Sequence, residues 1–460
     1  MSWIELNFHL KNNVMKTKYI WNLLVLLLVL SIMGCSSGDR NETKNKVVTE
    51  TKKKPNIIIW VADDQYLESV GCYGGNPEHT PNIDKLASEG LKFTRAYSTA
   101  SVCTPARSAI YTGMYPIKNG AHPNHSGLKK DIPSMPNIMR KLGYKTGLVG
   151  KEGVHKIPTR PTNLFTWDVR IPHTKVTIKG AEHSKKAAKK HREMDYEKIE
   201  KFIIDTKEPF CMFVASSLPH GPELTTIENG LSGYEANNWY TDQQVGKYIE
   251  MLEKSGKKEN TVIIFVSDNG SNTPRSKYTL FEPGVHIPMI ITWPGNVKAN
   301  SVNNALVDFT DVMPTLIEIA GGEPHNNMDG KSLLPLMQGE NITLHEDLFL
   351  SFTCLGVNGV NEPYPIRAVV TEQYKLIHYL NHTITPPKGS VKTKSHEYLL
   401  FDLKNDSKES KNLATDEQYQ SVMEDMLVRL NKWKKEVGDK GMDTELEAIE
   451  MFPGKIEYQK

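Results

Sequence analysis

Four short apolar runs recur along the first part of the chain, and each of them ends in polar residues. A continuous run of apolar, largely β-branched residues is typical of a strand that is buried on both faces of a parallel sheet. Stretches with helical patterning separate the runs, so strand and helix alternate over roughly 290 residues, which favours one large α/β domain. The four runs are NIIIWVADD, YKTGLVGK, PFCMFVASSLPHGP and NTVIIFVSDNGS.

The pattern changes after residue 345. Short apolar runs indicate an antiparallel sheet in the stretches EDLFLSF, YPIRAVVTEQYKLIHYL and EYLLFDLKND. The following EQYQSVMEDMLVRLNKWKKEVG carries apolar residues on one face, as an amphipathic helix does. We therefore predict a large domain over residues 55–345 and a smaller C-terminal subdomain, an antiparallel sheet plus a helix, over residues 346–460.

The N-terminal segment reads as an export signal. From Met15, two lysines precede an apolar run that is too short to span a bilayer comfortably and that ends at Gly34 and Cys35. A small residue before cysteine at this point resembles a bacterial lipobox, and an ordinary secretory signal cut nearby is the alternative. We predict a signal peptide over 1–34, with Met15 as an alternative start, and a polar, flexible tether over 35–54. The protein would then be an exported lipoprotein, anchored to the membrane through Cys35 in the periplasm or at the cell surface.

Charge and cysteine content exclude some classes of partner. The 460 residues include 56 basic and 54 acidic side chains, for a net charge of +2, so no overall field favours nucleic acid. The five cysteines are spaced neither for a zinc site nor for a dense disulfide framework. We expect no nucleic-acid partner.

Oxygen-bearing side chains stand at two of the predicted strand ends. Asp63 and Asp64 follow the first apolar run, and Asp268 and Asn269 follow the last. Ligand groups gather at the carboxyl ends of parallel strands, and several carboxylates together suit Ca²⁺ or Mg²⁺ rather than zinc. Either pair alone would read as an ordinary turn after a strand, but their joint occurrence favours a metal site.

Between these two pairs lies the sequence SVCTPARSAIYTG. Pro105 suits the first turn of a helix, and Gly113 suits its end. The spacing thus places the Cys103 thiol at a helix N-terminus, with Arg107 one turn further along. The combination of this Cys-x-Pro-x-Arg sequence with both polar strand ends is a strong signal for a functional site.

The chain resembles the type I sulfatases of the alkaline-phosphatase-like superfamily from residue 55 to about residue 435. Within that family it is nearer to the sulfamidase-like branch than to the arylsulfatases. The resemblance implies a large mixed, mostly parallel sheet sandwiched by helices. The blocks that carry it are CTPARS with the following YTG, NIIIWVADDQ, TPNIDKLASEGLKFTRAYS, GLVGK, SDNG, EPGVHIPMIITWPG and FDLKNDSKESKNLATD.

The resemblance also explains the cysteine. It implies that Cys103 is oxidised to formylglycine by a formylglycine-generating enzyme or by an anaerobic sulfatase-maturing enzyme. The hydrated aldehyde carries two hydroxyls: one attacks sulfur and displaces the alcohol, and the other expels sulfate and regenerates the aldehyde. The helix N-terminus favours the anion, because its free N–H groups and dipole are positive.

Other site residues take their roles from the same resemblance. Asp268 would accept the proton of the attacking hydroxyl, Arg107 would orient the formylglycine, and His220 would protonate the leaving oxygen. Lys151 and Lys277 would bind sulfate oxygens as fixed cations. The divalent ion, Ca²⁺ rather than Mg²⁺, would be held by Asp63, Asp64, Asp268, Asn269 and the modified Cys103.

The chain departs from the family at one position. Relatives usually carry a histidine two residues after the lysine of the GLVGK block, where this chain has Gly153, and His155 follows two residues later. We predict that a small bulge returns His155 to the site, where it draws off the second hydroxyl proton. His122 and His125, which follow the formylglycine helix, either face the substrate or cap a loop.

Several functions fit these observations. The leading hypothesis is a sulfatase that acts on a sulfated carbohydrate, and the alternatives within enzymes are an N-sulfoglucosamine hydrolase and a phosphonate or phosphodiester hydrolase of the same superfamily. A catalytically silent surface protein that binds sulfated glycans would be expected to lack core residues, and only the shifted histidine is missing. In a eukaryotic lysosomal enzyme Asn341 and Asn381 would be glycan acceptors, but the lipobox-like segment argues against that origin.

Overall fold

The predicted strands of the first domain all form in the structure, a computed structural model that describes residues 53–154, 165–355, 364–380 and 396–451. Further short strands join them. In chain order the strands are β1 (Asn56–Asp63), β2 (Leu91–Phe93), β3 (Ala96–Tyr97), β4 (Lys145–Gly150), β5 (Val169–Ile171), β6 (Phe210–Pro219), β7 (Thr261–Ser267), β8 (Met289–Thr292), β9 (Ser301–Asn303), β10 (Val307–Asp308), β11 (Asp347–Phe352), β12 (Ile366–Thr371), β13 (Tyr374–Tyr379) and β14 (Tyr398–Asp402).

The helices follow the predicted pattern as well. Three helices expected between the strands of the first domain are α1, α4 and α7, and the last of these begins about two turns earlier than its apolar pattern indicates. In chain order the helices are α1 (Pro81–Glu89), α2 (Cys103–Thr112), α3 (Pro116–Asn119), α4 (Met135–Lys141), α5 (Lys185–Lys190), α6 (Tyr196–Asp205), α7 (Gly233–Lys254), α8 (Glu282–Val285), α9 (Val312–Ile319), α10 (Leu334–Met337), α11 (Gln420–Val437) and α12 (Met442–Ile449).

The large sheet is mixed and mostly parallel, as the resemblance implies. Its strand order is β5-β4-β6-β1-β7-β8-β2-β9. The five strands from β5 to β7 run parallel to one another, whereas β8 is antiparallel to both of its neighbours. The carboxyl ends of β4, β6, β1 and β7 therefore lie side by side along one edge of the sheet.

Both faces of this sheet are buried, which explains why its strands are continuously apolar. In β1, Ile57, Ile59 and Val61 pack into the core on one face. Ile58 and Trp60 point the other way and pack into the core on the opposite face. Since neither face meets water, the central strands show none of the polar alternation that a half-exposed strand would show.

The C-terminal strands form the predicted antiparallel sheet, in the order β11-β12-β13-β14. The stretch YPIRAVVTEQYKLIHYL supplies two of these strands, β12 and β13, joined by a tight turn. The predicted amphipathic helix is α11, which follows a 3-10 turn at Glu417–Tyr419 and packs its Met426, Leu430 and Trp433 against the sheet. Helix α11 thus covers one face of the four-stranded sheet.

The other face of the small sheet joins the first part of the chain. Leu350 and Ile366 share a hydrophobic core with Val102, which precedes Cys103, and with Leu280, which follows Lys277. The described residues from Lys53 onward group into one compact unit. The change of architecture near residue 345 therefore lies within that unit, and the small sheet supports segments that belong to the site described below.

Two predictions on the N-terminal segment lie outside the described residues. These are the signal peptide with its tether, and the lipidation of Cys35, and both stay predictions. Among the residues that the structure does describe, no helix is long and apolar enough to cross a membrane.

Candidate active site

Four adjacent strand ends supply most of the residues that the sequence singles out. Lys151 follows β4, His220 follows β6, Asp64 follows β1 and Asp268 follows β7. The order of these strands in the sheet places the two basic residues on one side and the carboxylates on the other. The predicted ligand site at the carboxyl ends of the parallel strands thus unites residues that are about 200 positions apart in the chain.

Three carboxylates and the thiol meet at one point of this edge. One donor atom from each of Asp63, Asp64, Asp268 and Cys103 lies within 4.8 Å of each of the others. Asp64 has a positive φ of 68°, and its backbone N–H donates to Asp268 Oδ1 over 3.1 Å. This left-handed turn directs the Asp64 carboxylate towards the end of β7 and completes the cluster.

Two buried cations hold the carboxylates together. Arg107 donates from Nε to Asp268 Oδ2 over 2.9 Å, and its Nη2 lies 2.8 Å from the same oxygen and 3.4 Å from Asp63 Oδ2. Lys277 donates to both oxygens of Asp64 over 2.6 and 2.7 Å. Each cation is nearly inaccessible to water, so these contacts are stronger than ion pairs at a protein surface.

Burial and neighbouring charges shift the pKa values of two carboxyl groups in the cluster in opposite directions. Burial, together with the Asp63 and Asp64 charges, raises the pKa of Asp268 to about 6, although Arg107 acts in the opposite direction. Burial also acts to raise the pKa of Asp63, but Arg107, His220 and Lys277 outweigh it and hold that pKa well below its usual range. Asp268 therefore takes up a proton more readily than Asp63 does, although the two carboxylates belong to one cluster.

Cys103 is the first residue of α2, as its spacing from Pro105 predicts. Its Sγ lies 3.3 Å from Asp63 Oδ1 and 3.9 Å from Lys277 Nζ. Burial and the neighbouring Asp268 and Asp63 raise the pKa of the thiol well above its ordinary value. An unmodified cysteine here stays protonated and would be a poor nucleophile.

Asn269 adds an oxygen that suits a metal ion. Its side-chain amide donates to Asp64 Oδ1 and to the Gly270 carbonyl, both over 2.8 Å. Its Oδ1 is buried and accepts no hydrogen bond within the described residues. Because a buried acceptor without a partner is costly, this atom fits a role as a cation ligand. Carboxylate and amide oxygens together form the donor set that Ca²⁺ and Mg²⁺ prefer.

A pocket of about 720 Å³ opens onto this cluster. Among the predicted residues, Lys151, His220 and His125 line it together with Asp63, Cys103, Arg107 and Lys277. His122 does not line it: this residue is buried beside α12, with Nε2 3.8 Å from Glu445 Oε2. His155 lies outside the described residues, so its return to the site stays a prediction.

Sequence reasoning missed other residues of the pocket, namely His173, Lys190, Asn272 and Tyr278. Tyr278 carries a signal that only the structure shows, since its φ of 70° is rare for an aromatic residue. Lys190 lies in the lysine-rich stretch SKKAAKKH, whose composition is typical of a solvated helix surface. Tyr278 directly follows the predicted Lys277, whereas the other three belong to no motif that points to the site.

The chain departs from the family pattern at Gly153, and the surroundings of this residue favour a glycine there. It has a positive φ of 81°, and a Cβ atom built there would lie 2.6 Å from Cδ of Arg107. Its carbonyl accepts a hydrogen bond of 2.7 Å from the Thr104 hydroxyl in the first turn of α2. A histidine at this position would therefore be strained, and the arginine that holds Asp268 would have to shift to make room for it.

The fold and the site together define a hydrolase with an alkaline-phosphatase-like fold of the α/β class. Residues 55–322 match the family model described as sulfatase, and residues 275–436 match the model described as N-sulphoglucosamine sulphohydrolase, C-terminal. The chain therefore belongs to the sulfatase family and is a sulfuric ester hydrolase.

Curated relatives agree with this assignment. An ulvan-active sulfatase of Formosa agariphila is 31% identical over 89% of this chain and 88% of its own length. The human N-sulphoglucosamine sulphohydrolase is 25% identical over 84% of this chain and 90% of its own length.

Solved structures show the same fold. A structure in complex with its substrate D-glucosamine-2-N,6-O-disulfate superposes with a TM-score of 0.68 at 19% identity, over 84% of this chain and 99% of the other. A phosphonate monoester hydrolase of Agrobacterium radiobacter superposes with a TM-score of 0.65, also at 19% identity, over 83% of this chain and 96% of the other. The fold alone thus does not separate sulfate from phosphonate esters.

The contact between Gly153 and Arg107 predicts the cost of a methyl group there. Gly153→Ala should lower the free energy of unfolding by about 3 kcal/mol or more, since it adds a collision to the backbone strain of a left-handed alanine. Gly143→Ala is the matched control, because Gly143 has a φ of 86° and open space around its Cβ position. That control should lose only the strain energy, about 1–2 kcal/mol. If denaturant unfolding shows equal losses of stability for the two variants, a methyl group at position 153 does not collide with Arg107.

Proposed function

We propose that this sulfatase hydrolyses sulfate esters of a sulfated carbohydrate, through a formylglycine formed from Cys103 and with one bound divalent ion. The observation that carries the proposal is the convergence of three carboxylates, two buried cations and Cys103 at a helix N-terminus. The names of the relatives supply the substrate class, since ulvan and N-sulphoglucosamine are both carbohydrates.

The metal would be held by the oxygens of the cluster. Asp63, Asp64, Asp268 and Asn269 offer hard donors, and the modified Cys103 would add its own oxygen. We infer Ca²⁺ rather than Mg²⁺, because four protein side chains already crowd the site and Mg²⁺ retains several waters. When bound, the ion polarises a sulfate oxygen and lowers the pKa of a neighbouring hydroxyl.

Formylglycine would supply what a cysteine or serine lacks. Its hydrate carries two hydroxyls on one carbon, so that one can form the sulfate ester and the other can expel sulfate. Asp63 Oδ1 lies 3.3 Å from the Cys103 Sγ and Asp268 belongs to the same cluster, and Asp268 is the proposed acceptor of the first hydroxyl proton. Maturation requires a formylglycine-generating enzyme or an anaerobic sulfatase-maturing enzyme as a partner.

The basic side chains of the pocket would bind the sulfate group and the leaving oxygen. Lys277 lies between Asp64 and Cys103 and can hold a sulfate oxygen there. Lys151 is exposed and lines the same pocket, so it can reach a sulfate group bound there. His220 presents Nε2 on the site side, 3.5 Å from Asp64 Oδ2, where it can protonate the leaving alcohol.

The other histidines that the sequence predicts for the site have different places in the proposal. His125 lines the pocket and remains a proposed contact to the sugar. His122 is buried beside Glu445 and apart from the pocket lining, so the proposal assigns it no contact with substrate. His155 is the proposed base for the second hydroxyl.

A second candidate substrate has its own support. The C-terminal match to the N-sulphoglucosamine sulphohydrolase model favours an N-sulfated amino sugar, in which the leaving atom is nitrogen. A panel of O-sulfated and N-sulfated monosaccharides and oligosaccharides, with phenylphosphonate esters alongside, distinguishes these possibilities. Turnover of the phosphonate esters alone would overturn the proposal.

Activity should require the oxidation of Cys103 to formylglycine. Protein produced with a maturing enzyme should carry an aldehyde at residue 103, detected by peptide mass spectrometry, and should hydrolyse sulfate esters. Cys103→Ser should lose activity by on the order of 10³-fold or more, the scale of losing a nucleophile, while it still binds sulfated ligand. Full activity in protein with an unmodified thiol would contradict the mechanism.

Removal of the divalent ion should lower stability as well as activity. Ca²⁺ at a hundredfold excess over its dissociation constant should stabilise the stripped protein by about 2.7 kcal/mol, measured as an upward shift in Tm. Asp63→Asn should abolish this shift. Asp205→Asn is the matched control, since Asp205 is exposed on α6 and forms a surface ion pair with Lys201. The idea fails if Asp63→Asn keeps the full calcium-dependent shift.

A further inference from the structure

We propose that Lys190 supplies, through His220, the proton that the leaving oxygen takes up during ester cleavage. This inference rests on the proposed role of His220 as the donor to that oxygen. Lys190 acts through the histidine and is therefore a positioning and proton-supplying residue.

Lys190 lies on the pocket wall, at the end of the short helix α5. Its Nζ is 2.6 Å from His220 Nδ1 and 2.6 Å from the Gly221 carbonyl oxygen. Two other cations of the pocket, Arg107 and Lys277, lie against carboxylates. Within the described part of the chain, Lys190 makes no ion pair with a carboxylate, so its contacts are directed to the histidine and its loop.

The tautomer of His220 follows from these distances together with the hydrogen-bonding capacity of a lysine. A lysine ammonium has three N–H groups and no lone pair, so it can only donate. The Gly221 carbonyl is also 2.6 Å from Nδ1. A donor placed between these two acceptors satisfies both of them, and Lys190 is in that position. His220 then accepts at Nδ1 and carries its proton on Nε2, the nitrogen that faces the site.

The proton transfer balances along this chain of hydrogen bonds. The Nε2–H bond of His220 breaks as the O–H bond of the leaving alcohol forms. At the same time an N–H bond of Lys190 breaks and an Nδ1–H bond forms, so the imidazole stays neutral throughout. Lys190 is left as a neutral amine, and water returns its proton after the product leaves.

Without Lys190 the histidine would adopt the other tautomer. Nδ1 would take the proton and donate it to the Gly221 carbonyl, which would leave Nε2 as a lone pair facing the leaving oxygen. The loop itself has other supports. Asn237 donates to the Pro219 carbonyl over 3.1 Å, and His191 Nε2 lies 2.6 Å from the Pro222 carbonyl oxygen. Removal of the Lys190 amine should therefore change the proton position without unfolding the loop.

The kinetic test compares leaving groups. With matured enzyme, Lys190→Met should slow cleavage of phenyl sulfate by about 100-fold, the scale of lost acid catalysis. The same variant should change the rate with 4-nitrophenyl sulfate by less than about threefold, because that leaving group needs little protonation. Lys189→Met, an exposed neighbour on the same helix, should match the wild type. His191→Gln should affect both substrates equally, since it loosens the loop without changing the proton source.

Lys190→Arg separates proton supply from positioning. A guanidinium can donate to Nδ1 but does not give up its proton. This variant should therefore stay slow with phenyl sulfate although the tautomer is retained. Equal rate losses of Lys190→Met on both substrates, or full recovery in Lys190→Arg, would overturn the proposal.

The tautomer of His220 can be measured independently of catalytic activity. In ¹⁵N-histidine NMR, with the His220 signals assigned by their loss in His220→Gln, the wild type should show a protonated Nε2 and an unprotonated Nδ1. Lys190→Met should exchange these two patterns, and an unchanged pattern would refute the inference. If the wild type cleaves no sulfate ester while its NMR pattern is as expected, the proposed function fails and the Lys190–His220 contact stands.

Discussion

The mutual repulsion of three clustered carboxylates, two of them buried, is the constraint on which the rest of this structure depends. Two unit charges 4 Å apart repel by about 4 kcal/mol at the effective dielectric constant of a protein surface. Asp63, Asp64 and Asp268 carry three negative charges, and Arg107 and Lys277 carry two positive ones, which leaves one negative charge at the cluster. A divalent cation reverses that balance and would prepare the site for an anionic ester.

The architecture places this charge where a substrate can reach it. The carboxyl ends of four parallel strands lie at one edge, and the N-terminus of α2 meets them there. The small C-terminal sheet packs on Val102 and Leu280, which flank Cys103 and Lys277. The site therefore depends on packing from both sheets, and this accounts for a resemblance that extends through the C-terminal part of the chain.

Much of this could be predicted because the signals are local. Continuous apolar runs identified the buried strands, and the polar residues directly after them identified the cluster. Lys190 could not be predicted, since its role depends on the approach of α5 to the loop after β6 and its own neighbours are surface lysines. His122 and His125 are three residues apart in the sequence, yet only His125 reaches the pocket, because the turn between them is set by tertiary contacts such as the Thr104 hydroxyl on the His125 amide.

The central claim is that this cluster directs a nucleophile to the sulfur of a sulfate ester. Hydrolysis in ¹⁸O-labelled water tests it most directly, because attack at sulfur and attack at carbon leave the label in different products. In repeated turnovers the matured enzyme should place ¹⁸O in the released sulfate and none in the alcohol, as read by mass spectrometry of both products. Label in the alcohol would show cleavage of the carbon–oxygen bond and would contradict the account.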